Sequence, residues 1–210
     1  CFTFYEINPL LSILNLLTLR NDSNYYTLRG NVVNSIFDDL VSKASVDFET
    51  SFNKSLKIKP IRLLLLDDEK MIDKLKDETK NHFNVISNNV AKLPYGLLFI
   101  EPSFISYDFG IQGRLDLLIQ SNEDERLKEV VELKSGNAPN SNLKLTIDYK
   151  QLYLNTWHNH SAQANGYNLL LESVFNKRKG NSSIFYSSDL YTPIRNVVNE
   201  LKIKQEFIKT

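Results

Sequence analysis

The hydrophobic period of this chain first changes near Pro94, and that change restricts the folds open to it. Before Pro94, apolar residues recur at helical spacing. The pattern predicts helices over 9–20, 29–44 and 67–91, with 46–57 as a polar connection. In the second helix Val32, Ile36, Leu40 and Val41 share a side. In the third, Met71, Leu75, His82 and Val85 do, and His82 is read as structural. Beyond Pro94, residues 95–100, 110–120 and 127–134 are apolar or alternating runs bounded by turn residues, and they read as strands. The polar stretch 121–126 joins the last two as a hairpin. A Gly/Asn/Pro loop at 135–142 follows, then a helix over 155–175, a basic turn at 177–181, a strand at 184–190 and a closing helix from Pro193. This order specifies one α/β domain over 1–210: a small mixed β-sheet flanked by helices, with a helical N-terminal part.

A chain of 210 residues buries enough surface to fold without disulfide staples. Lys and Arg total 25 against 25 Asp and Glu, so attraction of nucleic acid or an anionic membrane by the whole molecule is unavailable. Any such binding must use a local patch, and Lys177, Arg178 and Lys179 form the most concentrated basic cluster. A solvated turn accounts for that cluster equally well. The single cysteine, Cys1, rules out an internal disulfide or a cysteine metal site made by this chain alone, and a cytoplasmic setting is expected. The apolar runs 63–66 and 97–100 fall far short of the ~20 residues of a membrane span. Cys1 is followed by aromatic residues where a lipidated terminus would carry a polar tether. With Met71 as its only methionine, the chain reads as a piece of something longer.

Three charged residues interrupt the strands. In 113–119, Leu115, Leu117 and Ile119 are expected on one face and Asp116 on the other. In 130–134, Glu132 and Lys134 share a face, with Val131 and Leu133 behind. A carboxylate and an ammonium two residues apart in mid-sheet are expensive to bury. If the strands pair, two carboxylates and a lysine converge beside the loop at 135–140. Such a set suits a hard cation such as Mg²⁺ or Mn²⁺, which lowers the pKa of a bound water and neutralises phosphoryl charge. Taken alone, the triplet reads more readily as an ordinary charged edge facing water.

The ordered series Gly113…Asp116, Glu132-Leu133-Lys134 and Gln163…Tyr167 resembles the PD-(D/E)XK nuclease superfamily, in its RecB-like branch, whose pattern is G-x-x-D, (D/E)-x-K and Q-x-x-x-Y. The branch includes nuclease domains of replication helicase–nucleases and CRISPR-associated exonucleases. The match is close over 101–171 and loose over 27–40. The resemblance implies a restriction-endonuclease-like core and a Mg²⁺- or Mn²⁺-dependent deoxyribonuclease acting on single-stranded, flap or end substrates in DNA repair, replication or recombination. Its implied ligands are Asp116, Glu132 and the Leu133 carbonyl, with Glu101 as a further acidic residue and Lys134 as the catalytic lysine. Gln163 and Tyr167, one helical turn apart, would line the active-site side; a packing face with polar tips is their other reading. His160, three residues before Gln163, would touch phosphate or simply meet solvent.

Two features depart from that pattern. Asn34 stands where the branch often has a ligand histidine, which favours the alternative of a catalytically inactive nuclease-fold module that binds DNA ends or a partner protein. Several members also carry an iron–sulfur cluster held by one early and three late cysteines. Cys1 is placed like the early one, so a [4Fe-4S] cluster is conceivable only in a longer parent chain. A fused or associated helicase is the further partner the resemblance implies, because helicase–nuclease fusions are common in the branch; the chain itself has no G-x-x-x-x-G-K-[ST] loop.

Overall fold

Helix α1 (Tyr25–Ser42) opens the residues described by the computed structural model, which are 25–42, 45–58, 69–140, 142–147 and 150–199. Cys1, the helix expected at 9–20 and the chain beyond 199 lie outside them. Two more helices, α2 (Phe48–Ile58) and α3 (Glu69–Asn89), precede the sheet. The expectation of a polar connection at 46–57 is therefore corrected. Phe48 and Phe52 stack four residues apart and bury themselves with Ser51 and Ser55, giving α2 an inward face despite its polar composition.

After a short 3₁₀ turn (Val90–Lys92) come β1 (Leu97–Ile100), β2 (Ser103–Ser106), β3 (Ile111–Arg114), β4 (Leu117–Gln120), β5 (Lys128–Lys134), β6 (Leu143–Ile147) and β7 (Lys150–Leu154). Helix α4 (His158–Val174), β8 (Ser182–Tyr186) and β9 (Ile194–Asn196) follow. The main sheet has the order β1-β4-β5-β8-β9, with β5 and β8 parallel and the other pairs antiparallel. Hairpins β2–β3 and β6–β7 form separate two-stranded sheets. The sheet and its helices make a mixed α/β architecture.

Each face of the sheet meets its own helices. Leu117, Ile119, Val131, Leu133 and Phe185 pack with Val33, Ile36 and Phe37 of α1 and with α2 and α3. Leu115, Leu118 and Val130 pack with Leu171 of α4. The expected single strand at 110–120 is broken into β3 and β4 at Leu115 and Asp116. The break reverses the side on which Leu115 lies, so it joins the α4 face rather than that of Leu117 and Ile119. Two other expectations change. The residues after Pro193 form β9, at the sheet edge beside β8, and the alternating runs at 143–154 pair as a hairpin that the sequence reading left unassigned.

Candidate active site

The carboxyl end of β5 is where the charged residues gather. The antiparallel ladder of β4 and β5 stops at Leu117 opposite Val131, leaving the backbone of Leu133 without a strand partner on that side. Asp116 fills the gap: its Oδ2 accepts the Leu133 N–H at 2.7 Å. In an extended strand the N–H and C=O of one residue leave on the same side, so the Leu133 carbonyl faces Asp116 as well. Asp116 sits at the chain break because its side chain replaces a ladder bond there.

Glu132, 3% exposed, lies on the α4 face of β5. Its Oε1 accepts from Lys134 Nζ at 2.9 Å and from Gln163 Nε2 at 2.6 Å. Lys134 Nζ also donates to Gln163 Oε1 at 2.9 Å. Gln163 Nε2 reaches Tyr167 Oη at 2.9 Å, and Tyr167 donates to the Arg114 carbonyl at 3.0 Å. One turn of α4 thus carries a bracing chain from β3 to the lysine. Among the described residues the other Glu132 oxygen, Oε2, is buried without a hydrogen-bond partner. Burial, and then the Glu132 charge beside it, push the Asp116 carboxyl up to about 7.

The end of β5 is itself pinned. Ser187 N donates to the Lys134 carbonyl at 3.0 Å, and buried His82 contacts Ser187 Oγ at 3.0 Å. Burial lowers the His82 pKa, in keeping with a structural role. His160 lines the same cleft, hydrogen-bonded through Nδ1 to Tyr186 Oη at 2.9 Å. Burial and the Lys134 charge hold its pKa down to about 4, so it faces the cleft as a neutral ring. The cleft holds about 310 Å³ between α1 and α4, with Asn34 on its α1 wall.

Asp116, Glu132, Leu133, Lys134, Gln163, Tyr167 and His160 are brought together. Other candidates are not. The Glu101 carboxylate accepts from Asn34 Nδ2 at 3.2 Å, lies 3.6 Å from Arg114 and lines a neighbouring cavity with Asp38. Its backbone N–H holds the Asp116 carbonyl at 3.0 Å with a positive φ of 49°, so Glu101 supports the turn that presents Asp116. Lys177, Arg178 and Lys179 lie at the other end of β5, where Lys179 O accepts from Lys128 N. At ~3.3 Å per strand residue this is roughly 20 Å from Lys134, so the cluster stands apart from the cleft. Arg178 is committed to the Lys128 carbonyl and to Asn168 Oδ1, and Lys179 to Asp124.

Sequence reasoning missed Asp38, whose carboxyl is pushed up to about 7 by burial and then by Glu101. Its spacing of four from Asn34 on α1 was the available signal. Among the described residues no group of three or more His, Cys, Asp or Glu side chains forms a metal cage. The donor set nevertheless fits a divalent ion: two carboxylates, one with an unmatched buried oxygen, and a strand carbonyl, the remainder of the shell being water. That is the coordination Mg²⁺ prefers. No protein-family model, curated protein or solved structure matches the chain. No helix among the described residues is long and apolar enough to cross a membrane.

Proposed function

We propose that the protein is a metal-dependent deoxyribonuclease of PD-(D/E)XK type, hydrolysing phosphodiester bonds in single-stranded, flap or end DNA. The observation that carries this reading is the unmatched Oε2 of Glu132, buried beside Asp116 while Lys134 and Gln163 saturate Oε1. A buried carboxylate left half-satisfied is costly to a fold that gains nothing from it. Asp116, Glu132 and the Leu133 carbonyl would hold a divalent ion, which would remove that cost and supply Lewis-acid activation of water and of the phosphoryl group.

The chain's own residues do the rest. Lys134, fixed by Glu132 and Gln163, aims its ammonium at the cleft, where it orients the attacking water and balances charge developing on phosphoryl oxygens. Water attacks phosphorus, and the 3′ oxygen departs. Gln163 is a positioning residue: its carbonyl faces the lysine and its amide the carboxylate, which fixes both at once. Tyr167 fixes the Gln163 amide in turn. A helicase partner draws on the family resemblance alone.

Asn34 favours a second reading, a module that grips DNA ends or a partner without cutting, because an amide oxygen is a poorer ligand than the imidazole the nuclease pattern often has at that place. One assay separates the two. With Mg²⁺ or Mn²⁺ and labelled single-stranded DNA, wild type should cleave, while Asp116→Ala and Lys134→Ala should fall by about a hundredfold or more. Equal cleavage by all three proteins removes the mechanism, and a wild type that binds but never cuts favours the second reading.

A further inference from the structure

The loop at 135–140 separates two hollows. Ser135 and Gly136 line the cleft of Asp116, Glu132 and Lys134, whereas Asn137 to Asn140 line a second hollow of about 370 Å³ against the turn at 188–192. Ser188 Oγ donates to the Gly136 carbonyl at 2.8 Å and ties the two walls together. Trp157 stands at the saddle between them. Its indole N–H donates to the Asn137 carbonyl at 2.7 Å, and its backbone N–H to Tyr186 Oη, the same hydroxyl that meets His160 of the first cleft.

The chemistry of the second hollow differs from that of the first. The one cation lining it, Arg195, is engaged with Asp189 at 2.6 Å and with the Pro139 and Asn155 carbonyls at 3.0 and 2.6 Å. The pair is neutral and offers nothing to a phosphate. What remains are the amide and hydroxyl residues Asn137, Asn140, Ser188 and Thr192, with Ala138, Pro139 and Leu190, beside Tyr191. The Tyr191 ring is 92% exposed, yet its turn is held: Asp189 Oδ1 accepts the N–H groups of Tyr191 and Thr192 at 3.0 and 3.1 Å. Trp157 is 40% exposed. An aromatic face on a held turn, with neutral hydrogen-bonding groups beside it, recognises a nucleobase, whose face stacks and whose edge carries donors and acceptors.

We infer that this hollow is a subsite for an unpaired nucleobase of the strand whose backbone crosses the Asp116–Glu132–Lys134 cleft, with Tyr191 supplying a ring face and Trp157, bonded to the Asn137 carbonyl of its wall, reporting on it. The inference rests on the nuclease reading for the strand's path and narrows its substrate to DNA single-stranded beside the cut. A base kept inside a duplex cannot present its face.

Trp157 is the chain's only tryptophan, so its emission reports on this saddle alone. The full chain in EDTA is titrated with a short oligodeoxythymidine, an abasic strand of equal length and a blunt duplex, following Trp emission and DNA anisotropy together. Emission should fall with oligodeoxythymidine and stay unchanged with the other two. Tyr191→Ala, harmless to folding at so exposed a position, should weaken oligodeoxythymidine binding by roughly five- to a hundredfold, and Tyr191→Phe should restore it. The subsite is overturned by unchanged emission while anisotropy reports binding, by no binding at all, by equal affinity for the abasic strand, or by an unaffected Tyr191→Ala. Mg²⁺-dependent cleavage, measured in parallel, keeps the two ideas apart. Cleavage without quenching removes the subsite alone, and quenching without cleavage removes the nuclease reading while leaving a base-binding site.

Discussion

Asp116 carries a carboxylate where the fold alone asks only for an acceptor. Its Oδ2 takes the Leu133 N–H, and the rest of the group meets burial and the like charge of Glu132. Asp116→Asn keeps an acceptor and removes the repulsion, so in EDTA at pH 8 it should melt above wild type. The rise should be about 2–4 °C, the response of a chain this size to ~1 kcal/mol. The same variant should lose the increase in melting temperature that Mg²⁺ gives the wild type. A variant that melts lower would show that the fold, not an ion, requires the charge. His160 tests the opposite sign. Its folded pKa of about 4 lies below the ordinary 6.5, so its contribution to stability is present above about pH 6.5 and is lost as pH falls toward 4. Melting temperatures from pH 7 to 4.5 should therefore fall further for wild type than for His160→Gln, and parallel curves would contradict the burial of a neutral ring. At this scale the sequence was readable where a short period fixes direction: Glu132 and Lys134 at strand spacing two, Gln163 and Tyr167 at helix spacing four. The engagement of Asn34 with Glu101, 67 positions away, depends on how α1 crosses the sheet, and no local spacing encodes that.

The elements that carry the site are held at close range by glycines. A Cβ on Gly113 of β3 would stand 2.9 Å from Tyr167 Cε1 and 3.1 Å from Leu170 Cδ2, so β3 and α4 meet through its missing side chain. Gly113→Ala should cost about 1–3 kcal/mol of overpacking and shift Tyr167, loosening the Gln163–Lys134 bond and lowering cleavage per folded molecule. Gly180 is the control at the far end of β5. Its φ of +121° strains any other residue, and a Cβ there would strike the Lys128 backbone. Gly180→Ala should lower the urea midpoint more than Gly113→Ala does, yet leave cleavage per folded molecule unchanged. The reverse ranking of activities would detach α4 from the chemistry. Elements were legible in the sequence where hydrophobic period and length agreed, as in α1, α3, β5 and α4. They were lost where a short element carries little apolar content: α2 announces itself by Phe48, Phe52 and Leu56 at spacing four in a polar stretch, and β9 spans three residues whose strand state comes from pairing with β8. The break between β3 and β4 was hidden because Leu115 continues the alternation while changing sides.

Across the whole molecule, equal numbers of acidic and basic residues leave no long-range pull on DNA, so binding depends on which cations reach the cleft. Among the described residues, Lys134, Arg114 and Arg29 stand near it, and each already meets a carboxylate: Glu132, Glu101 and Glu78 respectively. The basic turn with Lys177 and Lys179 lies roughly 20 Å away along β5. At most about three phosphates can then be neutralised, and at ~0.7 counterions released per phosphate of a single strand the slope of log affinity against log salt should be no steeper than about −2. Between 50 and 200 mM salt this amounts to a loss of roughly fifteenfold, small for a protein that binds DNA through charge. Replacing Lys177 and Lys179 together by Ala should leave both slope and affinity where they were, whereas Arg114→Ala should make the slope shallower. A slope near −4 that drops when the two lysines are removed would mean that the strand runs the full length of β5 rather than turning off at its carboxyl end. In that event the placement of the scissile phosphate over Asp116 and Glu132 would have to be abandoned with it.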